Sequence, residues 1–161
     1  MKIEHRSGHE ERRILTAMIM DKVALAAIAS KWNHKHGFFA SEWANLIGSW
    51  CVGYYARYKK APEAQIAAKF ETWSAVPNRD KALSKAIDQY LIGLSDEYDK
   101  LGKQHSSQFI LDMASAYFDK VRLKQLMDDV ENHLANGDTD KANALLNKSR
   151  KLEIGTGSGI D

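Results

Sequence analysis

The stretch SSQFILDMASAYFDKVRLKQLMDDVENHLANGD, residues 106–138, decides the fold class. Its apolar residues are Ile110, Met113, Ala114, Tyr117, Phe118 and Val121, then Leu123, Leu126, Met127, Val130 and Leu134. Steps of three and four dominate, the repeat of a helix face and not the alternation of a strand. A helix over 106–135 reaches about 45 Å at 1.5 Å per residue, longer than a bundle of this size requires. Asn136-Gly137-Asp138 stops it and can cap a successor that carries Ala142, Leu145, Leu146 and Leu152. The pair reads as a helical hairpin. Gly155-Thr156-Gly157-Ser158-Gly159 then has the composition of a flexible linker. An assembly or docking domain ends in this way more readily than an enzyme core does.

Upstream, the same helical spacing recurs. Ser7-Gly8-His9-Glu10 reads as a capping box ahead of Ile14, Leu15, Met18 and Ile19. Asp21 can cap a short helix with Val23, Leu25 and Ile28. Residues 32–37 form a polar loop, and Phe38 and Phe39 lead into a helix with Trp43, Leu46, Ile47, Trp50 and Tyr54. Pro62 suits the first helical position of a helix with Ile66, Phe70 and Trp73. Asn78 suits the cap of another, through Leu83, Ile87, Tyr90, Leu91 and Leu94, which Gly102 closes. The expected architecture is all-α: a helical bundle over 1–103, a hairpin over 104–153 in the same domain, and a Gly-rich tail over 154–161.

Composition narrows the function. The chain has 161 residues, enough for one domain with its own core. The lone Cys51 excludes an internal disulfide, suits a reducing cytosol, and fits a small buried hydrophobe. No run of about 18 apolar residues spans a membrane. The charged start, Met1 to His5, lacks the apolar core of a signal peptide. A net charge of +2 gives no electrostatic argument for nucleic acid, so little or no direct nucleic-acid binding is expected. The Lys141–Leu152 stretch has four basic residues and no acid. It reads as a solvated helix end matched to the C-terminal dipole, or as a weak contact for phosphate or acidic groups.

Chemical motifs are sparse. No Gly-x-x-x-x-Gly-Lys-Ser/Thr run can cradle a nucleotide phosphate. His34-x-His36 could clip a metal, but without a nearby carboxylate or cysteine it reads as surface. His5 and His9 straddle the proposed cap, while His105 and His133 lack obvious partners. His9-Glu10 and Glu131-Asn132-His133 have the wrong spacing for a di-iron bundle. Asp128, Asp129 and Glu131 fall away from the apolar stripe, as a solvated face does. The four tryptophans lie on helical stripes and read as core before they read as a base-stacking platform. No catalytic residue, cofactor or metal is assigned. The candidate partner interface is Phe118, Leu123, Leu126, Met127, Val130, Leu145 and Leu146, unless that stripe simply closes onto the bundle.

The order of these features resembles a known family. Glu10-Glu11-Arg12-Arg13-Ile14-Leu15-Thr16-Ala17-Met18-Ile19-Met20-Asp21 resembles the opening helix of the N-terminal domain of DnaB-type replicative helicases. The likeness continues through a Phe after a short loop, the aromatic helix to Tyr55-Ala56-Arg57-Tyr58-Lys59-Lys60-Ala61-Pro62, the Asn-Gly-Asp turn, and the tail ending in Ile160-Asp161. The bacteriophage-type helicase is the variant resembled most. The resemblance implies a bundle plus hairpin whose hairpins pair between subunits to build a collar on a ring, and a collar that binds primase or a helicase loader in the cytoplasm. The motor domain and its P-loop are missing, so the expectation is an excised domain or a stand-alone relative, with no catalysis of its own. The alternatives are the helicase-binding domain of a primase, a phage loader or adaptor, and, from another class, a small ligand- or metal-binding bundle.

Overall fold

The computed structural model describes residues 2–35, 37–102 and 106–158, with side-chain surroundings for 8–35, 37–102 and 106–148. The described residues form eight helices and no strand, so the fold is all-α. They are α1 (Lys2–Met20), α2 (Lys22–Ala29), α3 (Glu42–Tyr58), α4 (Gln65–Ser74), α5 (Lys81–Ile92), α6 (Leu94–Leu101), α7 (Ser107–Ala135) and α8 (Thr139–Ser158). The chain divides into two compact units, Met1–Phe118 and Asp119–Asp161. The division falls inside α7.

In the first unit, α1 packs against α2, α3 and α6, and α3 packs against α2, α4 and α5. Every apolar residue expected on the α1 stripe is fully buried: Ile14, Leu15, Met18 and Ile19. Leu25, Ile47, Cys51, Ile66, Ile87 and Ile110 complete the centre. Each such side chain contributes roughly 1.5–3 kcal/mol by leaving water. Gly48 lets α3 approach the loop before it, because a Cβ there would lie 2.5 Å from the Trp32 ring. Two buried polar groups are satisfied within this core. Thr16 and Tyr90 share a 2.7 Å hydroxyl bond. The Tyr117 hydroxyl donates to the Glu11 carboxylate at 2.7 Å and accepts from the Ala40 N–H at 3.0 Å. Ser41 N–H also donates to Glu11, so one carboxylate ties α1, α7 and the entry to α3 together. Asn45 seals the same loop by bonding both the N–H and the carbonyl of Phe39.

Local signals were read correctly at some ends and not at others. Asp21 caps α2, accepting from Val23 and Ala24, and its second oxygen accepts from Ser107 at the start of α7. Ser7–Glu10 is no capping box, since α1 already begins at Lys2. Consequently His5 and His9 fall four apart within one helix. Pro62 lies before α4 and not at its first position, because Glu63 takes a left-handed φ of 50° and delays the helix to Gln65. Asn78 also takes a left-handed φ, of 68°, and the cap passes to Asp80, which accepts from Ala82 and Leu83. The helix expected to run to Gly102 is two helices, because it breaks at Gly93.

In the second unit, the Asn136–Asp138 turn joins α7 to α8. Gly137 has φ 77°, its N–H reaches Leu134 O at 3.0 Å, and Asp138 N–H reaches His133 O at 2.8 Å. These are the two bonds of a Schellman stop with glycine in the left-handed position. Asp138 then accepts from Lys141 N–H and caps α8. Helix α8 continues through Gly155–Ser158, where composition predicted a linker. Each glycine costs a helix about 0.8–1.0 kcal/mol relative to alanine, so this last turn is intrinsically the poorest of α8. Residues 159–161 lie outside the described residues.

Candidate functional site

The residues assigned to a partner interface fall into two groups. Phe118 belongs to the first unit. Its ring stacks on Phe38 at 4.7 Å and meets Phe39 edge-on at 5.6 Å. It is half-buried there, packed on the Phe38–Phe39 segment. The other six lie in the second unit. Leu126, Val130 and Leu145 are half-buried, as is His133, while Ala142 is 3% exposed. Leu123, Met127 and Leu146 are exposed at 44%, 69% and 48%, and Leu134 joins them at 53%. The apolar surface of the hairpin is therefore layered: an inner row that is partly covered, and an outer row left in water.

On α7 the outer row is Leu123, Met127 and Leu134, with steps of four and seven, so these side chains share one stripe. Asp128, Asp129 and Glu131 are exposed. On this stretch of α7 an ion pair joins Arg122 to Asp119 at 3.7 Å; it is solvent-exposed, so it contributes little. Lys141 lies 3.4 Å from Asp138, close to the cap. The basic stretch of α8 has exposed Lys141 and Lys148; its remaining cations lie beyond the described side chains.

The remaining candidate groups are inert or scattered. Cys51 is fully buried, and desolvation raises its thiol pKa far above the usual range, which suits a packing residue and not a nucleophile. Burial likewise raises Tyr90 and Tyr117, keeping both phenols protonated as hydrogen-bond partners. His34 is exposed; His36 and His105 lie outside the described residues. Among the described residues no three His, Cys, Asp or Glu side chains converge on a metal-sized site. No helix among them is long and apolar enough to cross a membrane.

Sequence reading missed one surface. Helices α3 and α4 enclose an open cleft of about 420 Å³, lined in part by Trp50, Gly53, Tyr54, Arg57, Tyr58 and Lys69. Trp50 is not simply core: its ring meets Trp73 at 5.8 Å and also faces the cleft. Tyr54 and Tyr58 have ring centroids 4.6 Å apart. The signal was present in the sequence as Tyr54, Arg57 and Tyr58, within four residues of each other on one helix. Its cationic partner Lys69 lies on the next helix, which spacing along α3 alone does not bring in.

Comparison with protein-family models, with curated proteins and with solved structures gave no significant match. Function therefore rests on the residues and their arrangement.

Proposed function

We propose that this chain is the assembly and protein-docking domain of a DnaB-type replicative helicase. In this reading its hairpins pair between copies to form a collar, the collar docks primase or a helicase loader, and the chain itself performs no catalysis. A cytoplasmic setting goes with this reading. The observation that carries it is the exposed outer row of the hairpin, with Met127 at 69% and Leu123, Leu134 and Leu146 near half exposure. Contiguous exposed apolar side chains are the usual mark of an interaction site. A second copy of the same hairpin offers the same row, so a two-fold pairing covers both at once. The resemblance of residues 10–21 and of the aromatic helix to that helicase family supplies the biological setting.

Sedimentation velocity over a concentration series tests the pairing. Wild type is expected to associate. Met127→Asp is expected to remain monomeric, because it places two like charges in a surface whose apolar side chains are each worth about 1.5–3 kcal/mol. Met127 is too exposed for this change to disturb the monomer, and circular dichroism checks that. Leu126→Asp, on the half-covered row, should act in the same direction. A wild type that stays monomeric throughout overturns pairing through the hairpin.

A further inference from the structure

We infer that the α3–α4 cleft is a contact site for single-stranded nucleic acid. The inference rests on the first unit alone and is independent of hairpin pairing. Three aromatic residues, Trp50, Tyr54 and Tyr58, line the cleft beside two cations, Arg57 and Lys69, and no Asp or Glu lines it. Tyr58 is 51% exposed, and the Arg57 guanidinium lies 5.5 Å from its ring centre. The Tyr58 ring has the Arg57 guanidinium over it and the Tyr54 ring 4.6 Å away, so the exposed part of this aromatic–cation cluster offers both things a nucleotide needs: aromatic surface for the base and a charge for the phosphate. The surroundings have the same sign. Residues 49–88 hold seven Lys or Arg against four Asp or Glu, although the whole chain is only +2. One of those four, Asp80, is already engaged in capping α5.

Gly53 adds a separate observation. It sits in the middle of α3, where glycine is destabilising by roughly 0.5–1 kcal/mol relative to alanine. Nothing lies within 4 Å of the position its Cβ would occupy, so packing does not require it. A large side chain at this lining position would project into the cleft. An acidic peptide would use the two cations and leave the aromatic faces idle, so the nucleic acid is the better chemical fit. With only two cations in the lining the contact is weak and strongly salt-dependent.

The test is fluorescence anisotropy of a labelled single-stranded oligothymidylate with the full chain, starting at low ionic strength. Binding is expected to fall with a log–log salt slope near −1.4, about −0.7 for each of the two phosphates neutralised. Tyr58→Ala should weaken binding about 5- to 150-fold, the effect of losing one stacked base. Gly53→Leu should block the cleft while leaving the circular dichroism spectrum and thermal midpoint of a folded protein. Polyglutamate should compete poorly. The proposal is overturned by no binding at the lowest salt, by polyglutamate competing as well as the oligonucleotide, or by Tyr58→Ala and Gly53→Leu both binding like wild type.

Discussion

The two ends of α7 carry the same kind of apolar repeat and meet opposite fates. In the first unit, Ile110, Ala114 and Tyr117 are at most 2% exposed. In the second, Leu123, Met127 and Leu134 are 44–69% exposed. Spacing alone does not distinguish them, because three–four periodicity reports a face and not what covers it. The difference is what lies opposite. The early turns meet Glu11, the Phe38–Phe39 loop and α2, whereas the outer row after Phe118 is left in water. A helix that is half core and half exposed apolar face suits a part fixed in its own domain and offered to another molecule.

The sharpest way to break this comparison is to cut the same kind of side chain from both ends of one helix. Ile110→Ala removes a fully buried group and should cost about 2–5 kcal/mol. Met127→Ala, at low protein concentration, should stay within about 0.5 kcal/mol of wild type. Urea unfolding followed by circular dichroism measures both. Equal losses at the two sites would mean that the outer row is internal core, and the contrast would collapse.

That contrast also explains what could be read from the sequence. The all-α class followed from spacing, and the Asp21 cap and the Gly137 stop followed from local chemistry confined to a few residues. The failures were of two kinds. Some were competitions between neighbours: Asn78 and Asp80 both suit a cap, and the left-handed turn at Asn78 gave the cap to Asp80. Others were long-range. Phe118 looked free because its partners, Phe38 and Phe39, lie some eighty residues earlier. Nothing local marks Glu11 as a buried hydrogen-bond acceptor, because its partner Tyr117 is 106 residues away. The α3–α4 cleft was missed because helical stripes of aromatics were read as core, and one side of the stripe borders open space.

A second test probes the first unit through pH. Cys51 and Tyr90 are both buried there, and burial raises both pKa values above their unfolded ones. The folded state therefore holds these protons more tightly than the unfolded chain does. Their contribution is complete below the unfolded pKa values, near 8.5 for Cys and 10 for Tyr, and is lost as pH rises beyond them. Above pH 10 each group should remove up to about 1.4 kcal/mol of stability per pH unit. Urea midpoints should hold steady to about pH 8.5 and then fall. Cys51→Ala should delay the onset of that fall, and a wild-type midpoint flat to pH 11 would contradict the buried assignment of both groups. The described side chains of the second unit include no buried phenol or thiol, so this alkaline loss belongs to the first.

The smallest effect isolates the second unit. Asp138 accepts from Lys141 N–H at 3.1 Å, and its carboxylate sits at the positive end of the α8 dipole. Removing it leaves first-turn N–H groups of α8 without their side-chain acceptor. An N-cap changed to alanine typically costs about 1 kcal/mol. Asp138→Ala should therefore speed amide hydrogen exchange at the start of α8 by about fivefold, the factor that 1 kcal/mol gives, while Ile14, Leu15 and Ile110 in the first unit keep wild-type protection. The same variant should weaken self-association modestly, since Leu145 and Leu146 sit within two turns of the cap and lose their fixed position when that end frays. Asp138→Asn retains a capping acceptor without the charge and should restore most of the protection. If exchange instead rises equally in both units, α8 does not open separately from the bundle, and the two regions behave as one cooperative unit despite their different surfaces.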